Sequence, residues 1–313
     1  MQFRLNVSGL IALRNRIAMY PRWKIFVACA FLYSWIPVGI FWFFNIKASE
    51  PPGLALVAFS MVSPALAVLT VDKLLKPRSL FATYQIDFRT NGWFFLAWLG
   101  PVFIAILTMG IGLLFPGVSF SSGMEGMFAR SETTLSPGEI ILLREQTALM
   151  SLYRYFLSTL SALFAGVTFN AFAAFGEELG WRGLLHHEFR KLGFWKSAGV
   201  VGLVWGLWHV PLVLLGRHFP SYPFSGILMI VIWTILLSPV IAYVRDKAKS
   251  VLAAAVLHGT LNASAGLGTM LLTGGNELTV GITGIAGFIA IIIVNGCIWF
   301  ARRFEQKKPK KRK

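Results

Sequence analysis

Three groups of polar residues lie within or against otherwise apolar stretches of this chain: Glu177-Glu178-Leu179-Gly180-Trp181-Arg182, then Trp205 with His209, then His258 with Asn262. Carboxylates and imidazoles are the side chains that exchange protons and bind metals most readily near neutral pH. In hydrocarbon each is costly unless paired or hydrated, so their presence there points to chemistry.

Their spacing constrains what they can do together. On a helix Glu178 and Arg182 are four apart and can pair, whereas Glu177 is turned about 100° away from Glu178. The two acids therefore have separate jobs open to them. Asn170, seven before Glu177, falls on the same face as that acid. Trp205 and His209 share a face, as do His258 and Asn262. Taken alone, the Glu-Glu-Arg group reads equally well as a solvated helix end. The histidines argue for a site: about 20 Å and 12 Å along their helices at 1.5 Å per residue, they are expected in the cytoplasmic half of the membrane with the carboxylates.

Those clusters need elements to hold them, and the composition says which. Hydrophobic residues make up 56% and charged residues 13% of the 313, against about 25% charged in a soluble domain. Apolar stretches near the ~20 residues that cross a bilayer lie at about 24–45, 53–71, 93–115, 155–177, 197–215, 224–244, 250–272 and 279–300. The expected fold is all-α, a polytopic membrane bundle of about eight helices. It divides into an amphipathic segment 1–23, a membrane domain 24–300 with its motif core at about 150–270, and a basic tail 301–313.

Charge orients the bundle. Under strict alternation the connectors 1–24, 72–91, 176–196, 245–249 and 301–313 share one side and hold 24 of the 29 Lys and Arg. Positive residues mark the cytoplasm, so both termini are expected inside, in a bacterial cell membrane. The tail Lys307-Lys308-Pro309-Lys310-Lys311-Arg312-Lys313 follows a membrane helix and reads as a topology anchor meeting anionic headgroups, not as a nucleic-acid binder. Cys29 and Cys297 sit alone in apolar segments and imply no disulfide. The N-terminus spaces Val7, Leu10, Ile11 and Ile17 helically among Arg4, Arg14 and Arg16, as an interfacial helix and not a signal peptide. In the long loop at about 117–150, Ser136-Pro137-Gly138-Glu139 reads as a capped helix start, from which helix four could run long. Pro211, Ser238-Pro239 and Gly259 mark breaks that a wet bundle tolerates.

The three motifs resemble those of the CAAX-processing-endopeptidase and bacteriocin-processing (CPBP) family of eight-helix intramembrane proteases, which includes the Ras-converting enzymes. The family's Glu-Glu-x-x-x-Arg falls on Glu177, Glu178 and Arg182. Its Phe-x-x-x-His falls on Trp205 and His209, with Trp in place of Phe, and its His-x-x-x-Asn or Asp on His258 and Asn262. The likeness covers about 150–270. It implies hydrolysis of a peptide bond by activated water in a cavity open to the cytoplasm. Glu177 would be the base, with His209 orienting the water, and His258 and Asn262 would stabilise the oxyanion. Glu178 with Arg182 would keep Glu177 aimed, and Trp205 would pack or line the pocket. The implied partner is a membrane-associated peptide or protein, lipidated in the best-known relatives. If zinc takes part, its ligands would be Glu177, His209 and His258, but no His-Glu-x-x-His helix preorganises them. A metal-free reaction gives each motif residue a suitable role. Two rival classes use the same residues differently: a proton-coupled transporter, for which no inverted repeat is visible, and a non-proteolytic scaffold or immunity-type factor.

Overall fold

A computed structural model describes residues 19–46, 51–75, 78–131, 136–147 and 151–307. Most of the expected N-terminal amphipathic helix and residues 308–313 of the basic tail lie outside them. The bundle is all-α apart from one short ladder. In order, its helices are α1 (Arg22–Phe43), α2 (Pro51–Leu74), α3 (Leu80–Tyr84), α4 (Gly92–Gly112), α5 (Glu125–Ser131), α6 (Pro137–Thr147), α7 (Ser151–Val167), α8 (Phe169–Glu178), α9 (His186–Phe189), α10 (Phe194–Leu214), α11 (Pro223–Ala248), α12 (Val251–Ser264), α13 (Leu267–Met270) and α14 (Ile285–Lys307). Strands β1 (Ser119–Phe120) and β2 (Leu272–Thr273) pair antiparallel outside the helices.

Among the described residues seven helices are long and apolar enough to cross a membrane, or eight if the bent pair Leu152–Val167 with Phe169–Leu192, which turns by 47°, is one span. The fourth span is thus not the single helix expected at 155–177. It breaks at Thr168, whose hydroxyl donates back to the Phe164 carbonyl at 2.8 Å. It then continues past Glu178 through a π-helical segment, Leu179–Leu185, to Leu192. The last span begins later than expected because Gly281, at φ +89°, holds a left-handed turn that helix cannot cross. Pro211 and Pro239 do not interrupt α10 and α11, which run through them.

The capped start does form: Ser136 Oγ accepts from Glu139 N at 3.4 Å while Glu139 Oε2 accepts from Ser136 N at 2.8 Å. That reciprocal pair is a capping box. It opens a separate helix, α6, that ends at Thr147.

The connectors grouped by charge meet on one face. Ser250 Oγ donates to the Asp87 carbonyl at 2.6 Å, Asn91 Nδ2 to the Ala248 carbonyl at 3.1 Å, and Val251 N to the Gln85 carbonyl at 2.9 Å. Arg78 pairs with Glu188 at 2.9 Å, Arg22 with Asp72 at 2.5 Å, and Lys247 with Glu305. The opposite face carries the β1–β2 ladder and the loop 215–222, whose Ser221 Oγ donates to Glu277 at 3.0 Å.

Helix α12 sits against α8, α4 and α7, and α8 also packs on α2. Two glycines permit those contacts. A Cβ at Gly259 would lie 2.4 Å from Ala171 N on α8, and one at Gly176 would lie 2.5 Å from the Met61 carbonyl on α2. Each glycine adjoins a motif residue: the Gly259 contact sets the helix of His258 against that of Glu177, and the Gly176 contact backs the helix of Glu177 with α2.

Candidate active site

Glu177 is the last but one residue of α8 and is buried between two indoles. Trp205 Nε1, on α10, donates to its Oε2 at 2.7 Å, and Trp181 Nε1 donates to the same oxygen at 3.4 Å. Trp181 comes from the π-helical segment, a widened turn of a kind frequent at functional sites. The indole of Trp205 is therefore more than packing: its N–H fixes one oxygen of Glu177. A phenylalanine at that position has no such donor.

Glu178 turns the other way, as the 100° step between neighbours requires. Its Oε1 accepts from Arg182 Nη1 at 3.0 Å and from His258 Nδ1 at 2.8 Å. Glu178 and Arg182 are both 0% exposed. The solvated-helix-end reading is therefore wrong: this is a buried ion pair bridging to an imidazole. The Arg182 guanidinium also lies 4.6 Å from the Trp205 ring centroid, a cation–π contact between the supports of the two acids.

His209 Nδ1 donates to its own helix, to the Trp205 carbonyl at 2.9 Å. Because a carbonyl only accepts, the proton is on Nδ1 and Nε2 is left for another partner. His258, with Nδ1 on Glu178, also has Nε2 to spare. Its ring lies 5.3 Å from that of Trp205, and the His209 ring lies 5.6 Å from the same indole.

One cavity of about 150 Å³ joins these groups, lined by Glu177, Trp205, His209, His258 and Asn262, with Trp208, Trp233, Arg217 and His218 among its other walls. Asn262 is exposed, and its side chain hydrogen-bonds to no described residue. All four expected catalytic residues are thus in one place, with Glu178 and Arg182 behind them. Asn170 does not line the cavity.

Arg217 and His218 were not singled out from the sequence. They follow α10 in a short loop whose Gly216 and His218 both have positive φ, +86° and +71°. That turn folds the loop back so that the His218 ring meets His209 at 5.9 Å. Burial pushes the His218 imidazole well below its ordinary range, with His209 and Arg217 adding to the effect, which leaves it neutral at pH 7. A lone His after a helix end carries no periodic signal that would have flagged it.

The depth of the site differs in part from expectation. His258 is about 10 Å along α12 from Val251, but His209 is about 22 Å along α10 from Phe194 and only about 8 Å from Leu214, at 1.5 Å per residue. His209 is therefore in the half remote from the basic connectors, and the cavity runs that way to Arg217. Toward the basic face the chain is sealed by Phe26, Tyr84, Trp181, Leu184 and Leu185, each 0% exposed.

Among the described residues no three His, Cys, Asp or Glu side chains converge as metal ligands; Glu177 Oε2 accepts from two indoles, so a zinc would have to use Glu177 Oε1 with His209 Nε2 and His258 Nε2.

No curated protein matches the chain. A family model described as Rce1-like, type II CAAX prenyl endopeptidase, matches residues 159–264, the stretch that holds Glu177, Glu178, Arg182, Trp205, His209, His258 and Asn262. The similarity to that family thus covers about a third of the chain, the part that builds the cavity.

Proposed function

We propose that the chain is an intramembrane endopeptidase that cuts a membrane-associated peptide with water activated by Glu177. The observation that carries this reading is the convergence of Glu177, His209, His258 and Asn262 on one cavity inside the bundle. Glu177 takes a proton from water held at His209 Nε2, and the water oxygen bonds to the scissile carbonyl carbon. The carbonyl oxygen becomes an oxyanion that Asn262 Nδ2 and His258 Nε2 are suited to receive. With a proton on each ring nitrogen, His258 donates to Glu178 with one and to the oxyanion with the other. As the C–N bond breaks, the proton on Glu177 passes to the leaving amine. The indole bonds to Glu177 Oε2 hold that oxygen still and leave Oε1 as the proton acceptor.

A proton-coupled transporter would need the same buried acids to face water alternately from both sides. The test is a comparison of peptide ends in cells carrying wild-type chain and Glu177→Gln at equal expression. Ends present only with wild type are expected, and identical ends would overturn the assignment.

A further inference from the structure

The two faces of the bundle differ in charge and in what they offer the cavity. The face built from residues 78–91, 186–194 and 245–251 is basic and closed: Phe26 packs edge-on against Trp181 at 5.5 Å, and Trp181, Arg182, Leu184 and Leu185 fill the space beyond Glu177. The other face carries few cations, and there the cavity reaches the loop 215–222 through Leu212, Arg217 and His218. Basic connectors stay in the cytoplasm. Arg217 is exposed and pairs with no described residue. It and Glu177 are the charged residues of the lining.

We infer that the active-site cavity is entered from the extracytoplasmic face, and that Arg217 at its mouth receives a carboxylate of the peptide being cut. This rests on the endopeptidase reading above. A carboxylate entering the cavity is drawn to Arg217 and repelled by Glu177. A peptide is thereby oriented with its acidic side chain or carboxy terminus outward and an apolar stretch inward, against Val57, Met61 and Trp233. A guanidinium is suited to this because its planar fork matches a carboxylate with two N–H donors. The substrate class is then a secreted, extracytoplasmic or outer-leaflet peptide, in place of the cytoplasmic lipidated tail implied by the family resemblance.

Two measurements on full-length protein in cells test this. In a background with Cys29 and Cys297 replaced by Ser, single cysteines are introduced as Ser221→Cys beside the mouth and Phe88→Cys on the basic face, and an impermeant maleimide is applied. Ser221→Cys is expected to label in intact cells and Phe88→Cys only after permeabilisation; the reverse pattern overturns the inference. Peptide ends are then compared between wild type, Glu177→Gln, Arg217→Gln and Arg217→Lys. Wild-type-specific ends are expected in secreted or extracytoplasmic segments with Asp, Glu or a chain terminus within a few residues. Arg217→Gln is expected to lower their yield about tenfold, the scale of one lost charge-assisted hydrogen bond, and Arg217→Lys, which keeps the charge but not the planar fork, to restore only part of it. Ends confined to cytoplasmic segments sink the inference and leave the endopeptidase standing. Undiminished yield in Arg217→Gln sinks the carboxylate contact. No wild-type-specific ends at all removes the endopeptidase and the inference with it.

Discussion

His258 Nδ1 lies 2.8 Å from Glu178 Oε1, a hydrogen bond that ties α12 to α8 across 80 residues of sequence. The acid that the sequence assigns to support is thereby in direct contact with a proposed oxyanion donor, while Glu177 beside it is held by tryptophans. Adjacent carboxylates in one buried turn avoid mutual repulsion by facing different partners: indole N–H groups for one, a guanidinium and an imidazole for the other.

This division predicts different failures for the two acids. Glu177→Gln keeps the shape and an oxygen for Trp205 but removes the base, so the protein folds and turnover falls below detection. Arg182→Ala leaves Glu178 buried beside His258 without its guanidinium and also removes the cation from the Trp205 face. A loss of about 3 kcal/mol or more is expected. Thermal unfolding in detergent, run beside an activity assay on a peptide from an identified cut site, separates them. Equal stability of Arg182→Ala and wild type would contradict the buried pair.

Trp205→Phe restores the residue type of the family motif and tests what the indole adds. The ring that packs between His209 and His258 is kept, and the 2.7 Å donor to Glu177 is lost. Activity is expected to fall about tenfold, the scale of one hydrogen bond to a charged group, with little change in unfolding temperature. Unchanged kcat would show that Trp181 alone positions the acid.

The motif residues were legible because their types are costly in a membrane and their i, i+4 spacings put each pair on one face. The helix count was legible because span length is fixed by the bilayer. The break at Thr168 and the π-helical turn after Glu178 were not, because both arise from how α8 fits against α2 and α12. Nothing in the local run Leu179-Gly180-Trp181-Arg182 distinguishes an α turn from a wider one. The cavity's direction depends on which end of α10 His209 is nearer, and on a loop turned back by Gly216 and His218. Charge bias could orient the membrane spans but not show which end of the bundle is sealed.

The helix crossings behind the site carry their own prediction. Gly259→Ala would place a methyl 2.4 Å from Ala171 N, in contact with backbone that cannot rotate away. The α8–α12 crossing must open, and a loss of about 1–3 kcal/mol is expected from overpacking. Activity should fall as well, since His258 moves with the helix. Gly39→Ala, which meets nothing within 4 Å, is the control and should be neutral or slightly stabilising through helix propensity. Equal behaviour of the two variants would show that α8 and α12 are not held as close as their backbones imply.

Metal dependence gives the last prediction. A catalytic zinc needs three protein ligands and an open position for water. His209 and His258 each have one ring nitrogen committed, to the Trp205 carbonyl and to Glu178, and could each offer Nε2. The third ligand is the difficulty. Glu177 Oε2 accepts from two indole N–H groups, which leaves only Oε1, the oxygen that the proton transfer uses, and Asn262 is a weak, neutral donor to a metal although a good hydrogen-bond donor to an oxyanion. The His258–Glu178 bond would support a metal ligand as readily as an oxyanion donor, so the ligand set has to be tested by measurement. Activity of purified protein on a peptide from an identified cut site is expected to survive exhaustive chelation within about twofold, well under the tenfold that 1.4 kcal/mol represents. Stoichiometric zinc in active protein, lost on His209→Ala and on His258→Ala, with activity that falls and returns in step with the metal, would replace the water-and-glutamate reading with a metal-centred one.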